Sequence, residues 1–385
     1  MSFVESPERL ALRAAVSDLA NSYGWQYTRE RARAGEHLTE LWQEAGKAGF
    51  LGVNLPEEHG GGGAGIYELS LVLEEMGAAG CGLLMMVVSP AICGTILSRF
   101  GTPDQQKDWL PRIADGSSIM AFGITEPDAG SNSHKIQTVG RKDGSEWVLS
   151  GRKVFISGVD VADAVLVVGR TENSKTGKLQ PALWMVPTDA PGFEYTPIPM
   201  DLVSPDRQFQ VFLDDVHLPA DALVGSEDAQ LAQLFAGLNP ERIMASALAT
   251  GIGRYALDKG TAYAKERAVW GQPIGAHQGI SHPLAQAKIE LELARLMMQK
   301  AATLYDDGDD MGAGEAANMA KYAAAEASIR CVDTAIQTHG GNGMATEYGL
   351  GAMLQHARTT RIAPVSREMI LNFVAQFSLG LPKSY

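Results

Sequence analysis

The hydrophobic rhythm of this chain changes twice. Apolar residues recur at helical spacing near the N-terminus, give way to short β-rich runs between residues 120 and 226, and return to helical spacing to the end. A helix buries a stripe and a strand buries alternate residues, so one layer cannot serve both patterns. The expected fold is therefore α+β in three domains: a helical 1–119, a β domain 120–226 and a helical bundle 227–385.

Local signals sharpen each block. Ser6-Pro7-Glu8 is a cap, a first-turn proline and an acid, and starts a helix. Further helices are expected over 68–76 and 103–113. Gly60 to Gly63 with Gly65 cannot lie inside a helix or strand, and with no GK[ST] following, the run reads as a turn rather than a phosphate loop. In the middle block, runs at 147–157, 164–168, 182–186 and 209–213 read as strands. Asp143-Gly144 marks a hairpin, and prolines at 181, 187, 191, 197, 199 and 205 bound the runs. Such short strands suit a small antiparallel barrel or sandwich. In the last block Asn239-Pro240-Glu241 reads as a second helix start, opening a run to residue 264. Helices over 282–305 and 315–339 follow, and a last pair is broken by Pro364. Residues 306–314 read as an acidic loop, and the whole as a four-helix bundle.

Charge limits the partners. Lys and Arg number 32 against 45 Asp and Glu, a net charge of −13, which repels nucleic acid and anionic membranes. An anionic ligand must then meet individual arginines or a helix N-terminus. Cys81, Cys93 and Cys331 form no CxxC pair and have no metal-ligand spacing, so no metal is expected and they read as small buried residues. With no pairing pattern among the cysteines, a reduced, cytoplasmic protein is expected; the N-terminus shows no basic and apolar leader, and the apolar stretch 83–88 is too short for a bilayer.

Two segments carry more specific information. One is Gly123-Ile124-Thr125-Glu126-Pro127-Asp128-Ala129-Gly130-Ser131-Asn132. The other is Gln337-Thr338-His339-Gly340-Gly341-Asn342-Gly343-Met344. With the block order, they resemble the signature segments of the acyl-CoA dehydrogenase family over nearly the whole chain. Asn132 stands where the family usually has Asp, and Ala352 and His356 replace a usual basic and acidic residue.

The resemblance implies an FAD-dependent oxidoreductase of acyl-CoA thioesters in fatty acid metabolism, with electron-transferring flavoprotein as its acceptor. By the same match Thr125 bonds the flavin ring, Phe122 and Ile124 line it, and Ser131 meets a phosphate or the CoA chain. Thr125 could equally bond its own backbone as an ordinary strand residue. Phe155-Ile156-Ser157 stands where Trp-Ile-Ser/Thr is common, placing Phe155 and Ser157 at the flavin. Arg267 and Gln278 resemble residues that cross a subunit interface to a neighbour's FAD, with Gln337 and Gly341 on the same side. A homotetramer, a dimer of dimers, follows from that match.

The base position is distinctive. Many members carry a catalytic Glu where this chain has Pro364, while Ser366 and Glu368 still match cofactor contacts. The isovaleryl-CoA and long-chain group carries its base on another helix, in a segment that resembles Asn239-Pro240-Glu241-Arg242. Glu241 then becomes the base, and Asn239 and Arg242 substrate contacts. The ordinary reading of Glu241 is an acid favoured in a helix's first turn. Pro364 also keeps two other readings open: altered chemistry, such as an enoyl-CoA reductase or a base-independent acyl-CoA enzyme, and a non-catalytic subunit of a mixed assembly.

Overall fold

The computed structural model describes residues 5–173, 175–225 and 230–383. Helix α1 (Pro7–Ala34) begins as its sequence predicts, with the Ser6 hydroxyl accepting the Arg9 N–H at 3.3 Å. It is followed by α2 (Thr39–Lys47) and α3 (Ile66–Ala78). Next, α4 (Leu84–Met86) runs through a π-helical stretch, Val87–Gly94, into α5 (Thr95–Phe100), and α6 (Pro103–Ala114) closes the block. The glycine run is a tight turn. The N–H groups of Gly61, Gly62 and Gly63 donate to the carbonyls of Pro56, Gly52 and Leu55, leaving none of the three for a phosphate.

The middle block is one curled seven-stranded sheet. Its strands are β1 (Met120–Gly123), β2 (Val139–Asp143), β3 (Glu146–Ser157), β4 (Ala164–Glu172), β5 (Leu179–Pro187), β6 (Phe193–Pro197) and β7 (Gln208–Pro219). The order is β1-β4-β2-β3-β7-β6, with β5 also paired to β4. The hairpin at Asp143-Gly144 sets Asp143 opposite Glu146. Most pairs are antiparallel, while β1 and β2 run parallel to β4. Trp147 and Trp184 meet edge to face at 5.5 Å in the core of the sheet, beside Phe193 and Phe209.

The last block holds α7 (Gln230–Glu266), a hairpin of β8 (Ala268–Val269) and β9 (Gln272–Pro273), then α8 (Gln278–Asp306), α9 (Asp310–His339), α10 (Leu350–Thr360) and α11 (Arg367–Phe373). Helices α7, α8 and α9 pack on one another, and α10 closes on α7 and α9. Two expectations are corrected. Asn239-Pro240-Glu241 does not start α7 but lies inside it, because the apolar stretch before it, with Leu234 and Ala236 buried, continues the helix. The acidic loop shrinks to 307–309, because its acids cap helices. Asp309 accepts the Gly312 N–H at 2.9 Å, while Asp306 accepts the Ile66 and Tyr67 N–H groups at 2.8 and 2.9 Å and so caps α3 from across the fold.

The two helical blocks form one body. A Cβ added to Gly251 of α7 would sit 2.9 Å from the Gly77 Cα of α3, so glycine permits the close crossing. Beside it Arg13 meets Glu74 at 2.8 Å and Arg254 meets Glu75 at 2.7 Å, with Arg295 on Glu74 as well. Burial pushes the Glu74 carboxyl up, but the three arginines outweigh it and hold the group below its usual value. All three cysteines are free and buried. Among the described residues no helix is long and apolar enough to cross a membrane, and no cluster of acids, His and Cys could hold a metal.

Candidate active site

The chain leaves β1 at Gly123 and turns at Thr125. Phe122 is buried, and Ile124 and Thr125 are half-buried. The Thr125 carbonyl accepts the Val154 N–H at 2.9 Å, while its hydroxyl bonds none of the described residues. That removes the ordinary strand reading and leaves a free hydroxyl at the end of β1. A buried ion pair holds the turn. Glu126 accepts from the backbone of Gln137 and Thr138, from the Thr138 hydroxyl, and from Lys153 Nζ at 2.8 Å. Lys153 also donates to the carbonyls of Ile124 at 3.2 Å and Val168 at 2.6 Å. Burial pulls the Lys153 amine down to about 8 against the pull of Glu126.

Two residues beyond Lys153, β3 breaks register with β7 between Lys153 and Ile156. The bulge leaves Phe155 at φ 57°, with 55% of its surface exposed. An aromatic residue with positive φ is held at a cost of roughly 1–3 kcal/mol, an outlier of the kind that gathers at ligand sites. Ser157 ends the strand, its hydroxyl donating to Gln208 Oε1 at 3.0 Å. An exposed aromatic face near the Thr125 hydroxyl, which bonds none of the described residues, fits a planar ring with polar edge atoms, such as a flavin. Ser131 lies in the exposed loop beyond and makes no hydrogen bond among the described residues.

Glu241 lies on α7 one residue past Pro240. It is half-buried, and its carboxylate bonds none of the described residues. Burial pushes its pKa up to about 7, against the opposing pull of Arg242 and Lys321. Arg242 Nη1 donates to the Leu238 carbonyl at 2.8 Å, and its Nε is buried without a partner among the described residues. The Asn239 amide donates to the Asp310 carbonyl at 3.1 Å. Cys93, on the π-helical stretch, has its thiol pushed well up by burial and by Glu241, so it faces the same carboxylate. Ile92, Cys93, Phe122, Leu234 and Ile243 belong to one apolar cluster, with Ile124 packed on it, so β1, the π-helical stretch and α7 share one core.

Lys321 was not a candidate by sequence. It is buried on α9 and donates to the Val365 carbonyl at 2.5 Å, holding the segment that carries Pro364 against the bundle. Burial lowers its amine to about 8, with Arg242 lowering it further and Glu241, Glu326 and Glu368 opposing. Its only sequence signal is a lysine amid alanines on a buried helix face. Ser366 caps α11 by accepting the Met369 N–H at 3.3 Å, and Glu368 is exposed in the first turn. His356 of α10 meets the Val203 carbonyl at 2.8 Å and so docks the bundle on the β domain.

Arg267, Gln278, Gln337 and Gly341 form a second group, all exposed. The ends of α7 and α9 are held together there: Tyr263 stacks on His339 at 4.2 Å, and the Asn342 amide donates to the Tyr263 hydroxyl at 3.1 Å. A Cβ added at Gly341 would meet nothing within 4 Å, so the backbone there is open to approach.

Known proteins share this fold. The acyl-CoA dehydrogenase N-terminal, middle and C-terminal domain families match residues 6–117, 121–216 and 231–379. A relative named acyl-CoA dehydrogenase FadE12, from Mycobacterium tuberculosis, is 71% identical over 384 residues, covering 100% of this chain and 99% of that protein. The chain belongs to the acyl-CoA dehydrogenase family. A glutaryl-coenzyme A dehydrogenase solved with glutaryl-CoA superposes with a TM-score of 0.94 at 27% identity, over 100% of this chain and 98% of that one. Another from Mycobacterium smegmatis, solved with FADH2, gives 0.89 at 25% identity, over 99% and 96%. As an acyl-CoA dehydrogenase the chain is an FAD-dependent oxidoreductase of acyl-CoA thioesters, in keeping with the exposed Phe155 face and the free Thr125 hydroxyl.

Proposed function

We propose that the chain dehydrogenates the Cα–Cβ bond of an acyl-CoA with Glu241 as the α-proton base. The observation that carries this is a carboxylate with a pKa of about 7 and no hydrogen-bond partner among the described residues, on a helix that shares its core with β1. A base at that value is substantially ionised at neutral pH yet still takes a proton readily. FAD supplies the hydride acceptor for Cβ. Phe122, Ile124 and Phe155 line the ring and exclude water, and Thr125 and Ser157 offer it hydroxyls. Ser366 and Glu368 complete the cofactor contacts. Ser131, Asn239 and Arg242 hold the CoA portion.

The outer group argues for an assembly. From Glu241 to its last residue, α7 rises about 38 Å, so Arg267 and the residues grouped with it lie far from the proposed base. They serve the FAD of a neighbouring copy, in a homotetramer built as a dimer of dimers. Electron-transferring flavoprotein is the proposed acceptor, and fatty acid oxidation the proposed setting.

Anaerobic titration with saturated acyl-CoAs tests the reaction. One class of thioester is expected to bleach the visible flavin band and name the substrate. One observation favours a second reading: Pro364 has no N–H to offer the thioester oxygen. A yellow protein that no saturated ester bleaches, but that reduces an enoyl-CoA, would move the assignment to a relative with altered chemistry. Absence of FAD from the pure chain, restored by a co-expressed second chain, would indicate a non-catalytic subunit.

Lys321 provides a pH test. The base works ionised, so kcat/KM is expected to fall as pH drops through about 7. Lys321→Met removes a cation that pulls the Glu241 pKa down, and the acid limb is expected to move up by about one unit. A limb that stays in place in this variant would separate the two groups.

A further inference from the structure

Pro240 opens a gap in α7. An α-helical residue 240 would donate its N–H to the carbonyl of Ala236, and proline has none to give. Ala236 is buried, so a carbonyl left unpaired there would be costly. Instead the hydroxyl of Tyr305, a residue of α8 that is only 4% exposed, donates to the Ala236 carbonyl at 3.1 Å. Glu241 is the next residue along.

We propose that Tyr305 is a positioning residue for Glu241, closing the hydrogen-bond gap at Pro240 and so fixing the direction in which α7 presents the carboxylate. This rests on the reading of Glu241 as the base. The surroundings fix the same point from other sides. Asn239 donates to the Asp310 carbonyl, beyond the turn that follows α8. The Arg99 guanidinium lies 4.5 Å over the Tyr305 ring and meets Asp310 at 3.2 Å. At Gly237 the helix backbone lies so close to α5 and the π-helical stretch that an added Cβ would be 2.8 Å from Ile96 Cδ1 and 2.9 Å from Ile92 Cγ2. Helix α7 is thus pinned on both sides of the proline, and the Tyr305 hydroxyl is the contact that takes the carbonyl proline leaves free.

A double-mutant cycle tests this. Tyr305→Phe keeps the ring and removes the donor. The rate of flavin bleaching by a saturated acyl-CoA is expected to fall on the order of tenfold or more, with bound FAD and KM nearly unchanged, because a small misplacement of a catalytic group costs rate. Pro240→Ala restores an N–H for Ala236, so in that background Tyr305→Phe is expected to change the rate less than about twofold. Equal losses in both backgrounds overturn the proposal, as does coupling in melting temperature without coupling in rate. If Tyr305→Phe alone loses FAD, the double variant still decides: recovered FAD and rate support the proposal, and persistent loss overturns it. Glu241→Gln separates the two readings. Undiminished bleaching in that variant removes the base assignment itself, while loss of bleaching without coupling between 240 and 305 removes only the role of Tyr305.

Discussion

Glu241→Gln is expected to keep FAD and bind acyl-CoA while the rate of flavin bleaching falls by ~10²–10⁴, the contribution of a positioned general base. The change is nearly isosteric and the carboxylate bonds none of the described residues, so the substitution breaks no hydrogen bond among them. Anaerobic stopped-flow reduction with the best saturated ester measures the effect, and FAD content checks the site. The same variant carries a stability signature. Burial raises the Glu241 pKa from 4.5 to about 7, so the native state holds a proton that the unfolded chain releases between those values. The wild-type protein loses stability as pH rises through that window, and glutamine removes the loss. The variant's melting temperature is expected to gain on the wild type at pH 8 relative to pH 5. A constant offset between the two proteins would place Glu241 in a water-like environment.

Glu126→Ala is expected to destabilise the protein by about 3–5 kcal/mol, because it leaves a buried ammonium without its partner. Lys153 is almost completely enclosed, and Glu126 also accepts the N–H groups of Gln137 and Thr138 and the Thr138 hydroxyl, so four donors lose one acceptor group. The turn that carries Thr125 lies directly on this pair, and FAD affinity is expected to fall with stability. Thermal denaturation followed by flavin fluorescence reads both. Removing both charges with Glu126→Leu and Lys153→Met is expected to recover part of the loss, since a buried pair costs more to break than to replace with apolar groups. A single variant as stable as the wild type would show that water reaches Lys153.

The pair also shows why site and scaffold were unequally readable. Glu126 stands inside the first signature segment and Lys153 just before Phe155, yet nothing in their spacing joins them. They meet because β3 runs beneath the turn after β1. The same holds for Lys321 and the Val365 carbonyl, and for Tyr305 and the Ala236 carbonyl. Each pair is far apart in sequence, and burial makes each partnership compulsory. The misreading of Asn239-Pro240-Glu241 as a helix start has the same origin. Cap, proline and acid are a sound local signal, but the apolar residues before them were long enough to continue α7, and a hydroxyl from α8 met the carbonyl that proline left free.

By itself the sequence determined the order of helical and β blocks, the cap at Ser6, the hairpin at Asp143-Gly144, and the two segments that carry the family resemblance. These are properties of neighbouring residues: side-chain period, turn chemistry and local motif. Tertiary structure alone decided that Thr125 keeps a free hydroxyl, that Phe155 is turned outward on a bulge, and that Glu241 is a carboxylate with a pKa of about 7. A side chain's proton affinity and exposure depend on what the rest of the fold brings within a few ångströms, and here those neighbours come from α8, α9 and the π-helical stretch.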